Sequence, residues 1–501
     1  MMIASKLQET ANHNTQGKSD KIFAHRGHNE NNNGVCMLKV RQGFLTLCSV
    51  LFISQGSAAD SLTDIYELAL QSDPTLRAAR ANFQVGKETK NISRAYLLPV
   101  ISASADFTQS ERNSESSQVY SFIQEDPFLS KSLSDTDTTS YGVSLTQAIF
   151  DMPAWYNFQS GKALSRSASA QFASDQQSLI LRVSNAYLNT LRAFDNNETR
   201  KAEQRAIQRQ LEQTQERFEV GLLPITDVHE AQAVRDDALV NSLEAQGALN
   251  IAFDALQVLT GKRHTSLSGL TDGFMAVNPE PLDSQDWVSF SLNNNYQLKV
   301  AELGKDASYN QAKAATAQLY PKITASARYT DTDTDGTQVS YLPTPSSSGV
   351  SSLSDGHSFG LSLSMPIWAS GINAGRRQAK QRSIAAVENV EIAKRNTVQT
   401  ARSRHQLVIT NAARVKARKQ AIISAESALG ATQAGYEVGT RNIVDVLASQ
   451  RSVFQAKRNY ANARYDYIFA MMGLKEVAGQ LSPDDIYQLN AWLDPSLSVT
   501  K

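Results

Sequence analysis

A few groups of residues have the types and spacing that chemistry uses. Asp331, Asp333, Asp335 and Gly336 open like a calcium loop, with alternating carboxylates as ligands and a glycine at the sharp turn. The twelfth position of such a loop is a glutamate, and here it is Leu342, so the acids read as solvated loop residues. Gly261-Lys262 is followed by Arg263 and leaves a phosphate-binding loop incomplete, and neither HExxH nor GxSxG occurs. Beyond residue 58 the histidines are His229, His264, His357 and His405, and no two are spaced as a metal pair. Arg376, Arg377, Lys380 and Arg382 form a basic cluster. It reads as a solvated helix face, or as a contact for phosphate head groups or a charged pore zone. No catalytic constellation, metal site or cofactor site emerges, and the expectation is a protein that is not an enzyme.

Composition narrows the choice further. The 501 residues carry 49 Lys+Arg against 49 Asp+Glu, and zero net charge argues against a nucleic-acid partner. Two cysteines exclude a disulfide scaffold and repeated zinc-binding pairs. Length alone would suggest about three domains of roughly 150 residues.

The N-terminal region reads as a leader. Residues 1–36 are polar and patternless, and Met37 opens a different segment. Lys39 and Arg41 precede an apolar stretch from Phe44 to Ile53, and Gly56-Ser57-Ala58-Ala59 supplies small residues for cleavage. That order is a secretory signal peptide over 37–58, with translation starting at Met37 and 1–36 a non-native upstream extension. Cys48 lies inside the apolar core behind Leu47, where lipid attachment needs a small residue, so no lipid anchor is expected.

The remaining chain is written twice. Leu98-Pro99-Val100-Ile101-Ser102-Ala103-Ser104-Ala105 returns 222 positions later as Tyr320-Pro321-Lys322-Ile323-Thr324-Ala325-Ser326-Ala327. Tyr141-Gly142-Val143-Ser144-Leu145 returns 218 positions later as Phe359-Gly360-Leu361-Ser362-Leu363. Phe218-Glu219-Val220-Gly221 returns as Tyr436-Glu437-Val438-Gly439, again offset by 218. The predicted organisation is a first repeat over 59–280 and a second over 281–501.

Each repeat pairs two strand patterns with one long helical hairpin. Period-two alternation predicts strands at about 99–110, 140–151, 321–332 and 357–368, each near the ten residues of a tilted membrane strand. The Ser-, Asp- and Thr-rich tips at about 111–139 and 331–356 read as exposed loops. Long runs without proline predict helical hairpins over 154–260 and 374–472, with arms of roughly 95–100 Å at 1.5 Å per residue. Gly221 and Gly439 end the outgoing arms, and Asp227 with Glu230 predicts a capping box for the first return arm. Residues 262–285 and 473–501 are expected to form a smaller layer beside the helices. Phe150, Trp155, Tyr320 and Trp368 cluster where strands meet helices and read as a membrane-interface girdle. Four strands cannot close a barrel, and an open edge cannot face lipid. Membrane placement would require several chains, and three would supply an allowed twelve strands. The alternative is a structural or adhesive surface protein built on long helical hairpins.

Specific residues then carry a resemblance. Phe218-Glu219-Val220-Gly221-Leu222-Leu223-Pro224-Ile225-Thr226-Asp227-Val228 and Tyr436-Glu437-Val438-Gly439-Thr440-Arg441-Asn442-Ile443-Val444-Asp445-Val446-Leu447 resemble the paired turn motifs of the TolC family of outer-membrane efflux proteins. Leu145-Thr146-Gln147-Ala148-Ile149-Phe150-Asp151 and Ala461-Asn462-Ala463-Arg464-Tyr465 do so as well, and the resemblance spans 60–493. It implies a mixed α and β membrane protein: a homotrimer with a 12-stranded barrel, a long α-helical barrel in the periplasm and a mixed equatorial domain. The implied function is the exit duct of tripartite efflux or type I secretion. Implied partners are a periplasmic adaptor, an inner-membrane RND or ABC transporter reached through it, and outer-membrane lipid. By motif match Thr226, Asp227, Tyr436 and Arg441 would form the gate, and Asp445 the pore constriction. Gly221, Leu222, Gly439 and Thr440 would dock the adaptor. The family pattern has a second aspartate one turn after Asp445, and here that position is Ala448.

Overall fold

The computed structural model describes residues 59–118, 128–341 and 345–501. The predicted leader and the upstream extension lie outside these residues.

Two very long helices dominate. Helix α3 spans Met152–Glu219 and α7 spans Ser370–Glu437, each 68 residues and therefore roughly 100 Å. Their return arms are α4 (Ile225–Thr260) and α8 (Ile443–Val477). At the other end of the long helices run α2 (Pro74–Ala95), packed on α3, and α6 (Tyr296–Ala317), packed between α3 and α7. Small residues let these helices come close. A Cβ on Gly161 of α3 would stand 2.2 Å from Ser93 Oγ of α2, so a larger side chain would force the helices apart.

The strands are β1 (Val100–Gln118), β2 (Phe128–Phe150), β4 (Lys322–Tyr341) and β5 (Pro345–Ser364). They form one antiparallel sheet in the order β1-β2-β4-β5. Each is about twice the predicted length, because the predicted loop tips continue the ladders. Gln118 pairs with Phe128 and Tyr341 with Pro345. Asp331, Asp333 and Asp335 are therefore strand residues, opposite Tyr141, Thr139 and Asp137. That extended backbone cannot make the tight turn of a calcium loop. Alternation fails to mark these outer segments because polar residues occupy both strand faces. Within the described chain β1 and β5 each present one edge without a partner.

A small layer clasps the waist of the helices. Strand β3 (Ser266–Leu270) pairs with β6 (Leu493–Thr500), and Asp60 bridges to Leu267. Helices α1 (Leu62–Ser72), α5 (Ser284–Asn294) and α9 (Pro483–Asn490) complete it. The main core lies here: Leu62 and Ile65 of α1 pack with Leu179, Val183 and Tyr187 of α3 and Leu474 of α8, all buried. Asp60 also holds the buried His264 ring, with Oδ2 2.7 Å from Nδ1, while Thr260 Oγ1 lies 2.8 Å from Nε2.

Candidate functional site

Both helical hairpins turn at the end away from the sheet, and the turn residues gather there. Gly221 and Gly439 have φ of 79° and 78°, a left-handed conformation that other residues rarely adopt and that stops each helix. Leu222 N donates to Arg217 O and Thr440 N to Gly435 O, both at 2.9 Å, which satisfies carbonyls left over at the helix ends. The capping box predicted for α4 does not form. Pro224 takes the cap position, no side chain caps the helix, and Asp227 lies within its first turn. Proline fits a helix start because it has no N–H to satisfy. Helix α8 is capped by Asn442, whose Oδ1 accepts from Asp445 N at 2.8 Å.

A core beneath the turns fixes the two hairpins against each other. Ile207 and Leu211 of α3, Val228 and Ala231 of α4, and Ile443, Val446 and Leu447 of α8 are all buried in it, with Tyr436 packed alongside. Above it opens a cleft of about 570 Å³, lined among others by Arg217, Asp227, Tyr436, Gly439 and Arg441. Three of the four predicted gate residues thus share one cleft. Thr226 stands outside its lining, exposed, with Oγ1 3.4 Å from Asp227 Oδ1. Within the chain Arg441 pairs with Asp445, Nη1 to Oδ2 at 3.6 Å, rather than with Asp227. The Tyr436 hydroxyl is buried and has no hydrogen-bond partner among the described residues. Of the predicted docking residues, Gly221, Leu222, Gly439 and Thr440 are all exposed at the tip.

Arg217, which lines this cleft, and Gly435 beside it escaped the sequence reading. The Arg217 guanidinium lies over the Tyr436 ring, 5.2 Å from its centroid, in cation–π contact. The duplicated position of Arg217 in the second repeat is Gly435. A Cβ there would stand 2.9 Å from Arg441 Cγ. The two repeats therefore use one position oppositely: a cation braces the tyrosine in one, and an empty space seats the arginine in the other. The departure from the repeat was the available signal.

The predicted girdle residues lie where sheet and helices join. Phe150 ends β2, Trp155 is in the first turn of α3, Tyr320 precedes β4, and Trp368 lies between β5 and α7. All four are exposed, Trp368 most of all at 80 %.

Comparison with known proteins settles the family. The sequence profile described as "Outer membrane efflux protein" matches residues 65–262 and 287–480, one match per repeat. The chain belongs to the outer membrane efflux protein family. It is 32% identical over 442 residues to outer membrane protein TolC of Vibrio cholerae, covering 88% of this chain and 95% of that protein. It is 26% identical over 440 residues to the alkaline protease secretion protein AprF of Pseudomonas aeruginosa, covering 87% and 88%. The fold matches the crystal structure of VceC from Vibrio cholerae with a TM-score of 0.67 at 19% identity, over 83% of this chain and 96% of that one. The chain is thus an outer-membrane export channel with a helical periplasmic part. Its relatives are channel proteins rather than enzymes, and the adhesive-protein alternative finds no support among them.

Proposed function

We propose that three copies of this chain close a 12-stranded barrel in the outer membrane, and that their helices continue it as a tunnel gated at the hairpin turns. The observation that carries this reading is the four-stranded sheet with one bare edge on β1 and another on β5. Bare N–H and C=O groups are too costly in lipid, so the two edges must meet across chains. Phe150, Trp155, Tyr320 and Trp368 would then ring the periplasmic interface. At the other end Arg441 would reach a neighbouring chain's Asp227 and Thr226, and Tyr436 would offer its unpartnered hydroxyl there. Asp445 would ring the constriction. A few charge-assisted bonds make a feasible switch. The exposed tips at Gly221, Leu222, Gly439 and Thr440 would receive a periplasmic adaptor that links the duct to an inner-membrane RND or ABC transporter. The likeness to AprF brings type I protein secretion within the reading beside drug efflux.

Cysteines placed one on β1 and one on β5 test the closure. Crosslinks should join separate chains into trimers, and crosslinks confined to one chain would overturn it.

A further inference from the structure

The basic cluster of the second repeat does not stand alone on one helix face. Arg376, Arg377 and Lys380 of α7 line a cleft of about 570 Å³ together with Lys313 of α6. Tyr156 of α3, Tyr309 and Thr316 of α6, and Tyr320 complete its polar lining, and no carboxylate is among the lining residues. Arg376, Arg377 and Lys380 are exposed, and none of the four cations makes an ion pair among the described residues. Lys313 Nζ lies over the Tyr309 ring at 4.5 Å and near the Tyr156 ring at 5.6 Å, so aromatic faces hold this ammonium in place of an acid.

The surrounding sequence deepens this imbalance. Helix α7 has no acidic residue before Glu388, α3 none before Asp175, and α6 none after Asp306. The three helices that line the cleft are therefore free of acids on its side of the sheet junction; Asp151 at the cap of α3 is paired with Lys322, and Glu88 lies on α2, which contributes nothing to the lining. Four cations gathered without counter-charge repel one another, and an incoming anion relieves that repulsion.

Position decides which anion. Arg376 is the seventh residue of α7, roughly 10 Å along the helix from its start, and residues 365–369 alone separate that start from the end of β5. Tyr320 lies two residues before β4. With the sheet in the outer membrane, the cleft sits at the depth of the headgroups facing the helices. Tyrosines beside arginines suit that zone, because ring and guanidinium each join an apolar body to a polar tip. The arginine fork also matches phosphate oxygens in pairs.

We infer that this cleft binds the phosphate of an anionic phospholipid headgroup at the periplasmic face of the membrane. The inference takes from the proposed function only the membrane placement of the sheet, and requires neither the gate nor the adaptor.

The test uses the full-length protein in non-ionic detergent, titrated with short-chain phosphatidylglycerol or phosphatidylcholine and read by native mass spectrometry. Each basic residue near an anionic surface is worth roughly a fivefold gain in binding, so wild type should favour phosphatidylglycerol by at least about tenfold. K313Q/R376Q/R377Q/K380Q should lose that preference. K416Q/R418Q/K419Q removes exposed cations lower on α7 and should keep it. Preference surviving in the quadruple variant, or lost equally in the control, would overturn the inference. Equal occupancy by inorganic phosphate at matched ionic strength would also overturn it, reassigning the cleft to a soluble anion. Planar-bilayer conductance measured on the same samples separates the two readings, since a conducting wild type without lipid preference sinks this inference alone.

Discussion

Arg458 Nη1 of α8 lies 2.6 Å from Glu203 Oε2 of α3, and each side chain is only 7% exposed. Arg200 approaches the same carboxylate at 3.1 Å, and Gln455 accepts from Arg458 Nη2 at 2.9 Å. Burial draws the Arg458 guanidinium below its ordinary range, and the Glu203 charge opposes that. The pair ties the first hairpin to the second on the sheet side of the turn cleft. Removing one partner strands a buried charge, at a cost of about 3–5 kcal/mol. Arg458→Met should therefore lower the melting temperature sharply, while E203L/R458M should recover most of the loss. A double variant as unstable as the single one would show that the pair is not the tie.

Asp73 gives the fold a defined acid response. Burial pushes its carboxyl up, but the Arg182 guanidinium and the Leu76 and Thr75 amides outweigh burial and hold it below the ordinary value. Arg182 Nη2 lies 2.7 Å from Oδ2. A depressed folded pKa contributes stability above the unfolded value and loses it as pH falls through the folded one. Asp73→Asn should be less stable than wild type near neutrality and converge with it as pH falls below the ordinary aspartate range, in thermal melts. Parallel curves would exclude the linkage.

At the turns, Y436F/R441S should raise single-channel conductance in planar bilayers by removing both proposed gate donors. Unchanged conductance would count against the gate assignment.

Gly435 offers a test the sequence motif does not supply. A side chain there must displace Arg441, whose Cγ would stand 2.9 Å from a new Cβ. Gly435→Val should open the channel much as Arg441→Ser does, with Arg441 itself intact. A closed channel with wild-type conductance would show that the arginine finds its partners from another position.

Asp445→Ala should weaken cation selectivity, because a ring of carboxylates around an axis favours cations. With Ala448 one turn on, little acidic charge remains to compensate. The readout is the reversal potential in a salt gradient, and an unchanged value rejects the role.

The long helices were legible because their signals are local. The proline-free run from Ala154 and the stop at Gly221 bound α3 within a few residues. The sheet was only half legible. Val143 and Leu145 alternate with polar neighbours, but the Thr, Asp and Ser run at 134–140 offers no apolar face, so its ladder with β1 and β4 could not be read. Arg458 and Glu203 are 255 residues apart, and nothing in a single sequence links them. Arg217 could have been singled out, because with Glu216 it breaks a repeat that Thr214, Gln215, Glu219 and Val220 keep.

The two bare strand edges also bear on the chain before it reaches its destination. An unassembled copy carries an open template at β1 and another at β5, where any extended segment can add. The edges resist this by composition. β5 runs Pro345, then serines and glycines, with Asp355 and His357 in mid-strand, and β1 carries Glu111, Arg112 and Glu115 in its outer half. These outer halves lack the apolar, uncharged character that drives fibril-like stacking, whereas the inner half of β5 keeps Phe359, Leu361 and Leu363 exposed. The plainness of the outer halves protects the chain in transit, leaving correct closure to register and the membrane rather than to stickiness.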